Sequence, residues 1–319
     1  MQAMLGTIVQ QTFNALTIGA IYALIALGYT MVYGVLKMIN FAHGEMFMLG
    51  AYAAFMVLAM MLPDVGAAGA LALSVAFAVA VFAIGGVGVL IERLAYKPLR
   101  NSTRLAPMLS SLGVSLFLVT GVQIAAGPQP RVFPSFFPVE RYEVLGGSIT
   151  SVQIGILVAS LILMGGLHFF VNRSRLGIIV RAVSESRPTA QLLGIKVDFS
   201  ISLIFFVGPL LGAAGGILYS SYYGIMLPTM GAVIGLKAFT AAILGGIGSI
   251  PGAMLGAFIL AFVEVAGTAL LPVLSHGYIG TEYRDVFAFF ILIVVLLFRP
   301  AGILGEPVSE ESMVYKREF

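Results

Sequence analysis

The residues able to do chemistry or carry force fall in three places along the 319-residue chain. The first is Arg173 to Gly194, RSRLGIIVRAVSESRPTAQLLG, a strongly polar run between two long apolar segments, with Arg173, Arg175, Arg181, Arg187 and Glu185. It reads as a short helix, a turn and a second short helix. Leu176, Ile179, Val180 and Val183 form an apolar stripe at helical spacing. Pro188 can open the second helix and Gly194 can stop it. Such a knob either lies on anionic lipid or docks into a partner's cleft and transmits a rigid-body push. Residue chemistry leaves both readings open.

The second place is Tyr33 to Glu45, YGVLKMINFAHGE, which joins two apolar segments without a conventional polar loop. It puts Lys37, Asn40, His43 and Glu45 at bilayer depth or its edge, where ionisable groups are costly and are either paired or functional. In one reading Asn40 caps the next helix, Glu45 sits on its positive end and Lys37 snorkels to the headgroups. In the other these groups line a passage. The third place, Gly231 to Gly256, contains LKAFTAAILGGIGSIPGA over residues 236–253. Lys237 follows the logic of Lys37. Gly245, Gly246, Gly248 and Gly252, with Pro251, break a helix. These glycines either let helices pack closely or free backbone groups to line a cavity. Glu264, inside the eighth apolar segment, must pair across helices or face a wet cavity. Glu92-Arg93, ending the third, reads as an interfacial ion pair or a headgroup contact.

These groups do not assemble into an enzyme. The chain has no cysteine, hence no disulfide, thiolate nucleophile or thiolate-bound metal. His43, His168 and His276 are far apart and lack partner motifs for a nucleophile or a metal, so no catalytic or metal-ligating residue is assigned. The GLKA sequence lacks P-loop spacing.

The elements that must position these residues are membrane helices. Residues are 60% hydrophobic and only 10% charged, with mean hydropathy +1.04, against about 25% charged in a soluble domain. The net charge of +3 therefore marks cytoplasmic loops and gives no sign of nucleic acid. No basic residue precedes the first apolar segment, which is expected to stay as the first span. Spans of about 20 apolar residues fall near 8–33, 44–62, 66–91, 105–126, 151–171, 200–225, 232–248, 251–271 and 284–299. The seventh is short and glycine-rich, so eight or nine cross. The basic loops 92–104 (Arg93, Lys97, Arg100, Arg104) and 172–198 are expected to be cytoplasmic. Loops 127–150 and 272–283 are then external, the N-terminus is outside and the tail 300–319 is inside. This defines an all-α polytopic transmembrane bundle forming one domain, 1–319. The prolines of loop 127–150 confine it to extended and turn conformations, as a cap over helix ends or a landing surface.

Shifted by 190, Ala23, Tyr29, Tyr33, Gly34, Ala42 and Ala51 match Ala213, Tyr219, Tyr223, Gly224, Ala232 and Ala241. Either this is chance in an apolar chain or the halves form an inverted repeat with broken helices, as in many transporters.

Asn40-Phe-Ala-His-Gly-Glu45 followed by Leu49-Gly-Ala-Tyr52, then Arg175-Leu-Gly with Arg181-Ala, then Gly235-Leu-Lys-Ala with Leu244-Gly-Gly-Ile-Gly, closely resemble the permease subunits of branched-chain amino-acid ABC importers. The shorter, H-type permease is the nearest form, and the motifs keep their order along nearly the whole chain. The resemblance implies a non-enzymatic permease, multi-pass in the inner (plasma) membrane, forming half of a transport path for leucine, isoleucine or valine. Related permeases carry urea, short amides or other small solutes. It implies three kinds of partner: a second, M-type permease; two cytoplasmic ATPase subunits, which bind the ATP and Mg, this chain holding no cofactor; and an external or periplasmic amino-acid-binding protein. Membrane lipid is the further partner expected of the chain itself. Asn40, His43, Glu45, Lys237, Gly245, Gly246 and Gly248 are then candidates for the substrate path. Arg175, Gly177, Arg181, Ala182, Glu185, Ala190 and Gly194 are candidates for coupling to the ATPases. Glu185, Ala190 and Gly194 fall on a loose Glu-Ala-Ala…Gly pattern in which Ser186 and Arg187 replace the two alanines. A secondary transporter driven by an ion gradient would instead rest on a buried acid such as Glu264.

Overall fold

The structure, a computed structural model, describes residues 2–61, 69–100, 102–103, 105–134, 139–274, 284–299 and 301–305. Expectations for Arg104, His276, most of the 272–283 loop and nearly all of the tail beyond Arg299 lie outside the described residues.

The helices run α1 (Gln2–Leu36), α2 (His43–Met61), α3 (Ala70–Ile91), α4 (Leu105–Ala126), α5 (Ser151–Arg173), α6 (Arg175–Glu185), α7 (Arg187–Leu192), α8 (Val197–Tyr223), α9 (Met230–Gly245), α10 (Ile250–Leu274) and α11 (Arg284–Phe298). After α3 the chain continues through a π-helical turn (Glu92–Tyr96) and a 3-10 turn (Lys97–Leu99). Among the described residues, seven helices are long and apolar enough to cross a membrane. At 16 residues, α9 rises about 24 Å, short of a hydrocarbon core of about 30 Å. The segment expected to be interrupted is therefore the short one.

The pattern of burial follows composition. α1 is apolar on every face, and Ile21, Tyr22, Leu24, Ile25 and Leu27 are all at most 1% exposed. A helix apolar all round belongs in the middle of a bundle, and α1 packs against α5, α8, α9 and α10. α4 presents Leu112, Leu116, Phe117 and Ile124 outward, as expected for a lipid- or partner-facing span.

Two antiparallel units form the centre. Gly28 of α1 lies against Gly208 of α8, while Ile21 and Ile25 lie against Gly215. The two helices therefore run in opposite directions. Each is followed by a break (37–42 and 224–229) and a second helix, α2 or α9. The first break turns on Lys37, which adopts φ +54, and the second on Gly224, with φ +70. Helix–break–helix thus occurs twice with opposite sense, at nearly the offset of the sequence echo.

The two ends differ. At one, the 92–100 segment is tied to the start of α8 by Lys97 Nζ–Asp198 Oδ2 at 2.8 Å and by Arg100, which also pairs with Glu92. At the other, β2 (Arg141–Val144) and β3 (Gly147–Thr150) pair as an antiparallel hairpin, and β1 (Arg131–Val132) pairs with β4 (Ile225–Met226). Gly6 approaches Gly146, and Gln10 Oε1 accepts from Ser148 N at 2.8 Å. The hairpin caps the start of α1, and Thr150 with Gln153 forms the capping box of α5. Loops 92–104 and 172–198 share one end, and loop 127–150 lies at the other.

Candidate functional site

Both broken helices begin inside the bundle. His43 starts α2 against Gly28 of α1 and Gly208 of α8, well short of the α1 terminus at Leu36. The first turn of α2 meets the first turns of α9 there. A Cβ on Gly44 would lie 2.6 Å from the Gly231 carbonyl oxygen, and one on Gly235 would lie 2.6 Å from Gly44 Cα. The backbones touch because neither side has a side chain. The positive ends of two helices therefore converge on one point.

A carboxylate occupies that point. Glu45, 1% exposed, is in the first turn of α2 and lies directly against Gly231 in the first turn of α9. Its Oε1 accepts from Ser115 Oγ of α4 at 2.9 Å. His43, fully buried, packs edge-on to Tyr29 with ring centroids 4.6 Å apart. Only a glycine at 28 admits the imidazole, since a Cβ there would sit 2.3 Å from Nε2. The Asn40 side chain does not cap α2. Its Oδ1 accepts from Tyr96 Oη of the π turn at 2.6 Å, and its backbone carbonyl accepts from His43 N at 3.2 Å. Asn40 thus ties the break to the basic end. Lys37 is exposed, in keeping with a side chain reaching outward.

The remaining path candidates lie elsewhere. Lys237 does not snorkel. It is 2% exposed and donates from Nζ to Glu264 Oε1 of α10 at 2.8 Å, and Tyr22 Oη of α1 also reaches Glu264, at 3.1 Å. Glu264 thus pairs across helices and also lines a hollow of about 190 Å³ with Gln11, Asn14, Tyr222 and Tyr223, so both expectations for it hold, and the acid on which an ion-gradient reading rested has a cationic partner. Gly245, Gly246 and Gly248 lie at the opposite end of α9 from the crossing. Gly245 packs backbone to backbone with Gly252. Gly246 and Gly248 have φ +109 and +101 and make the turn into α10, and residues 301–305 close over it through Leu304 N to Gly245 O at 2.9 Å.

The polar run forms an elbow of two helices. Ser174 caps α6 by accepting from Gly177 N, and Ser186 caps α7 by accepting from Thr189 N. Gly194, at φ +78, turns the chain towards α8. The buried stripe of α6 is Gly177, Val180 and Val183. Leu176, expected there, is exposed, and Gly177 takes the place because a Cβ would strike the Phe170 carbonyl oxygen at 2.2 Å. Arg175, Arg181 and Glu185 point outward, Ala182 is half-buried and Ala190 is buried. Leu192 and Leu193 project at 89% and 74% exposure. Arg187, which the pattern placed at an alanine position, turns inward and donates from Nη2 to the Val35 carbonyl oxygen at 2.7 Å. Burial, and then the nearby Arg100, hold its pKa below the ordinary value. The elbow therefore grips α1 two residues before the break at Lys37.

Sequence reasoning missed Gly44, Gly231, Ser115, Tyr96 and Arg187 as partners. Only glycine recurrence at the starts of α2 and α9 signalled the crossing.

Broken half-helices meeting inside an apolar bundle, with a capped polar elbow at one end, define a polytopic membrane permease. The chain matches the family described as branched-chain amino acid transport system / permease component over residues 11–296, and it belongs to that family. It is 44% identical over 306 residues to the high-affinity branched-chain amino acid transport system permease protein LivH of Escherichia coli (strain K12), covering 95% of this chain and 97% of LivH. It is 44% identical over 309 residues to the corresponding permease BraD of Pseudomonas aeruginosa, with coverage of 95% and 97%. A solved chain of PsaBC from Streptococcus pneumoniae in complex with Fab aligns with TM-score 0.43 and 12% identity over 90% of this chain and 91% of that one. The protein is a multi-pass inner-membrane transport permease.

Proposed function

We propose that this chain forms half of the translocation path of an ATP-driven importer of leucine, isoleucine and valine, with a second permease as the other half. Two ATPase subunits dock on the elbow from the cytoplasm, and an external binding protein delivers the solute. The observation that carries the reading is the near full-length match to LivH and BraD in a chain whose elbow is capped, outward-facing and tied to a broken helix. ATP and Mg belong to the ATPases.

In this mechanism the basic end faces the cytoplasm, following the Lys/Arg bias. Closure of the ATPases displaces α6–α7 as a rigid body. Arg187 passes that displacement to Val35 and the break, and Asn40–Tyr96 passes it to the π turn. The α2–α9 crossing, held by glycine contacts and the Glu45 carboxylate, is the element that separates. Asn40, His43 and Glu45 border the opening, while Lys237 and Gly245–Gly248 hold α9 to α10.

The test is uptake by the reconstituted complex. ATP-dependent accumulation of labelled leucine, with labelled urea excluded, is the expected result. Urea accumulation without leucine would reassign the substrate, and leucine uptake without ATP would remove the ATPases from the account.

A further inference from the structure

Beside the elbow the basic end opens into a cleft of about 640 Å³ lined by Arg93, Lys97, Lys196, Asp198 and Phe199. A second hollow of about 320 Å³, lined by Arg100 and Arg187, shares Lys97, Gln191 and Asp198 with it. The acidic groups here are already engaged, Asp198 by Lys97 and Arg100, and Glu92 by Arg100. Arg93 and Lys196 are exposed, and among the described residues no carboxylate lies within salt-bridge distance of either. The cleft thus keeps a surplus of positive charge that the fold does not neutralise. Its rim is not polar throughout. Phe199, which lines the cleft at the start of α8, is 54% exposed; Leu90 in the last turn of α3 and Leu94 in the π turn, which flank Arg93 along the chain, are 54% and 70% exposed, and all three belong to apolar spans. Uncompensated cations near exposed apolar side chains, at the end of two spans, form a surface with a charged and an oily half.

We propose that this cleft binds an anionic glycerophospholipid, its phosphate between Arg93, Lys97 and Lys196 and its acyl chains along Leu90, Leu94 and Phe199. Basic pockets between spanning helices at this depth suit such headgroups. A docking protein would meet the charges in water and would not need the apolar side chains. Because Lys97, Asp198 and Arg100 join the cleft to α8 and the π turn, a lipid there braces the base against which the elbow moves. The site does not depend on which solute is carried.

The test uses the assembled importer in mild detergent. Native mass spectrometry should show dioleoylphosphatidylglycerol retained over dioleoylphosphatidylcholine. Arg93→Gln with Lys196→Gln should cut that preference by about thirtyfold, since each cation near an anionic surface contributes about fivefold. Arg131→Gln with Arg141→Gln, the same loss of two charges at the other end, should leave it unaltered. A photoreactive phosphatidylglycerol should label residues 93–97 and 191–199 of the unaltered chain, which keeps the test independent of how the variants fold. Equal retention of the two lipids, or labelling elsewhere, overturns the proposal. Displacement of the lipid by inorganic phosphate alone would make the source free phosphate and overturn it as well. Loss of ATPase subunits from the double variant, with lipid selectivity intact, would make the cleft a protein-docking surface. Failed leucine uptake with these lipid results intact would count against the transport reading only.

Discussion

Replacing Lys237 by Met should destabilise the protein more than replacing Lys237 and Glu264 together. The two groups are 2% and 1% exposed, 2.8 Å apart and bridged to α1 by Tyr22. Met keeps most of the Lys volume, so the loss is electrostatic. Breaking one half of a buried ion pair costs about 3–5 kcal/mol because the other charge is left uncompensated, whereas an apolar pair of similar shape is often neutral or better. Lys237→Met strands the Glu264 carboxylate between α1, α9 and α10. Glu264→Leu strands the ammonium and also takes the acceptor from Tyr22, a further cost of about 1–3 kcal/mol. The double variant loses the Tyr22 bond but leaves neither charge of the pair behind. Unfolding of the four forms by SDS titration in mixed micelles closes the cycle. The expected coupling is at least about 2 kcal/mol, within the range for residues in one network, with the double variant more stable than Lys237→Met. Additive single effects, or a Lys237→Met protein as stable as the parent, would refute a buried ion pair.

Gly44→Ala should reduce uptake and cost about 1–3 kcal/mol by overpacking, because its Cβ meets the Gly231 backbone. Gly34→Ala, with nothing within 4 Å, should be neutral or slightly stabilising in the same SDS titration. Arg187→Gln removes a charge-assisted bond worth about 1.5–3 kcal/mol, so transport per ATP hydrolysed should fall about tenfold or more. Arg187→Lys should recover part of the loss, and equal effects of Gln and Lys would make the bond irrelevant. Arg181→Glu leaves the fold intact because the side chain points outward, yet it should uncouple ATP hydrolysis from uptake. Unchanged uptake would remove the elbow from the coupling path.

What the sequence made legible was local. Apolar run length located every long span and marked the seventh segment as short, and Pro188 and Gly194 marked the second helix of the elbow, while the Ser174 and Ser186 caps came from the structure. The rest depends on contacts between residues far apart in the chain. Lys237 and Glu264 sit on separate helices, and neither position announces the other. Gly177 replaced Leu176 in the buried stripe of α6 because backbone proximity to α5 outweighed hydrophobicity. The depth of His43 and Glu45 was invisible because a break can be read at a membrane surface as easily as inside it. Arg187 looked like a defect in a pattern, and its role depends on the position of Val35, 152 residues away.

The central claim is that the elbow is worked from the cell interior. The chain has no cysteine, and Leu193 is 74% exposed at the elbow's tip, so Leu193→Cys gives a single reporter. A membrane-impermeant maleimide should label it in inside-out vesicles and not in intact spheroplasts, and added ATPase subunits should block the reaction. Labelling from the outer face would contradict the account.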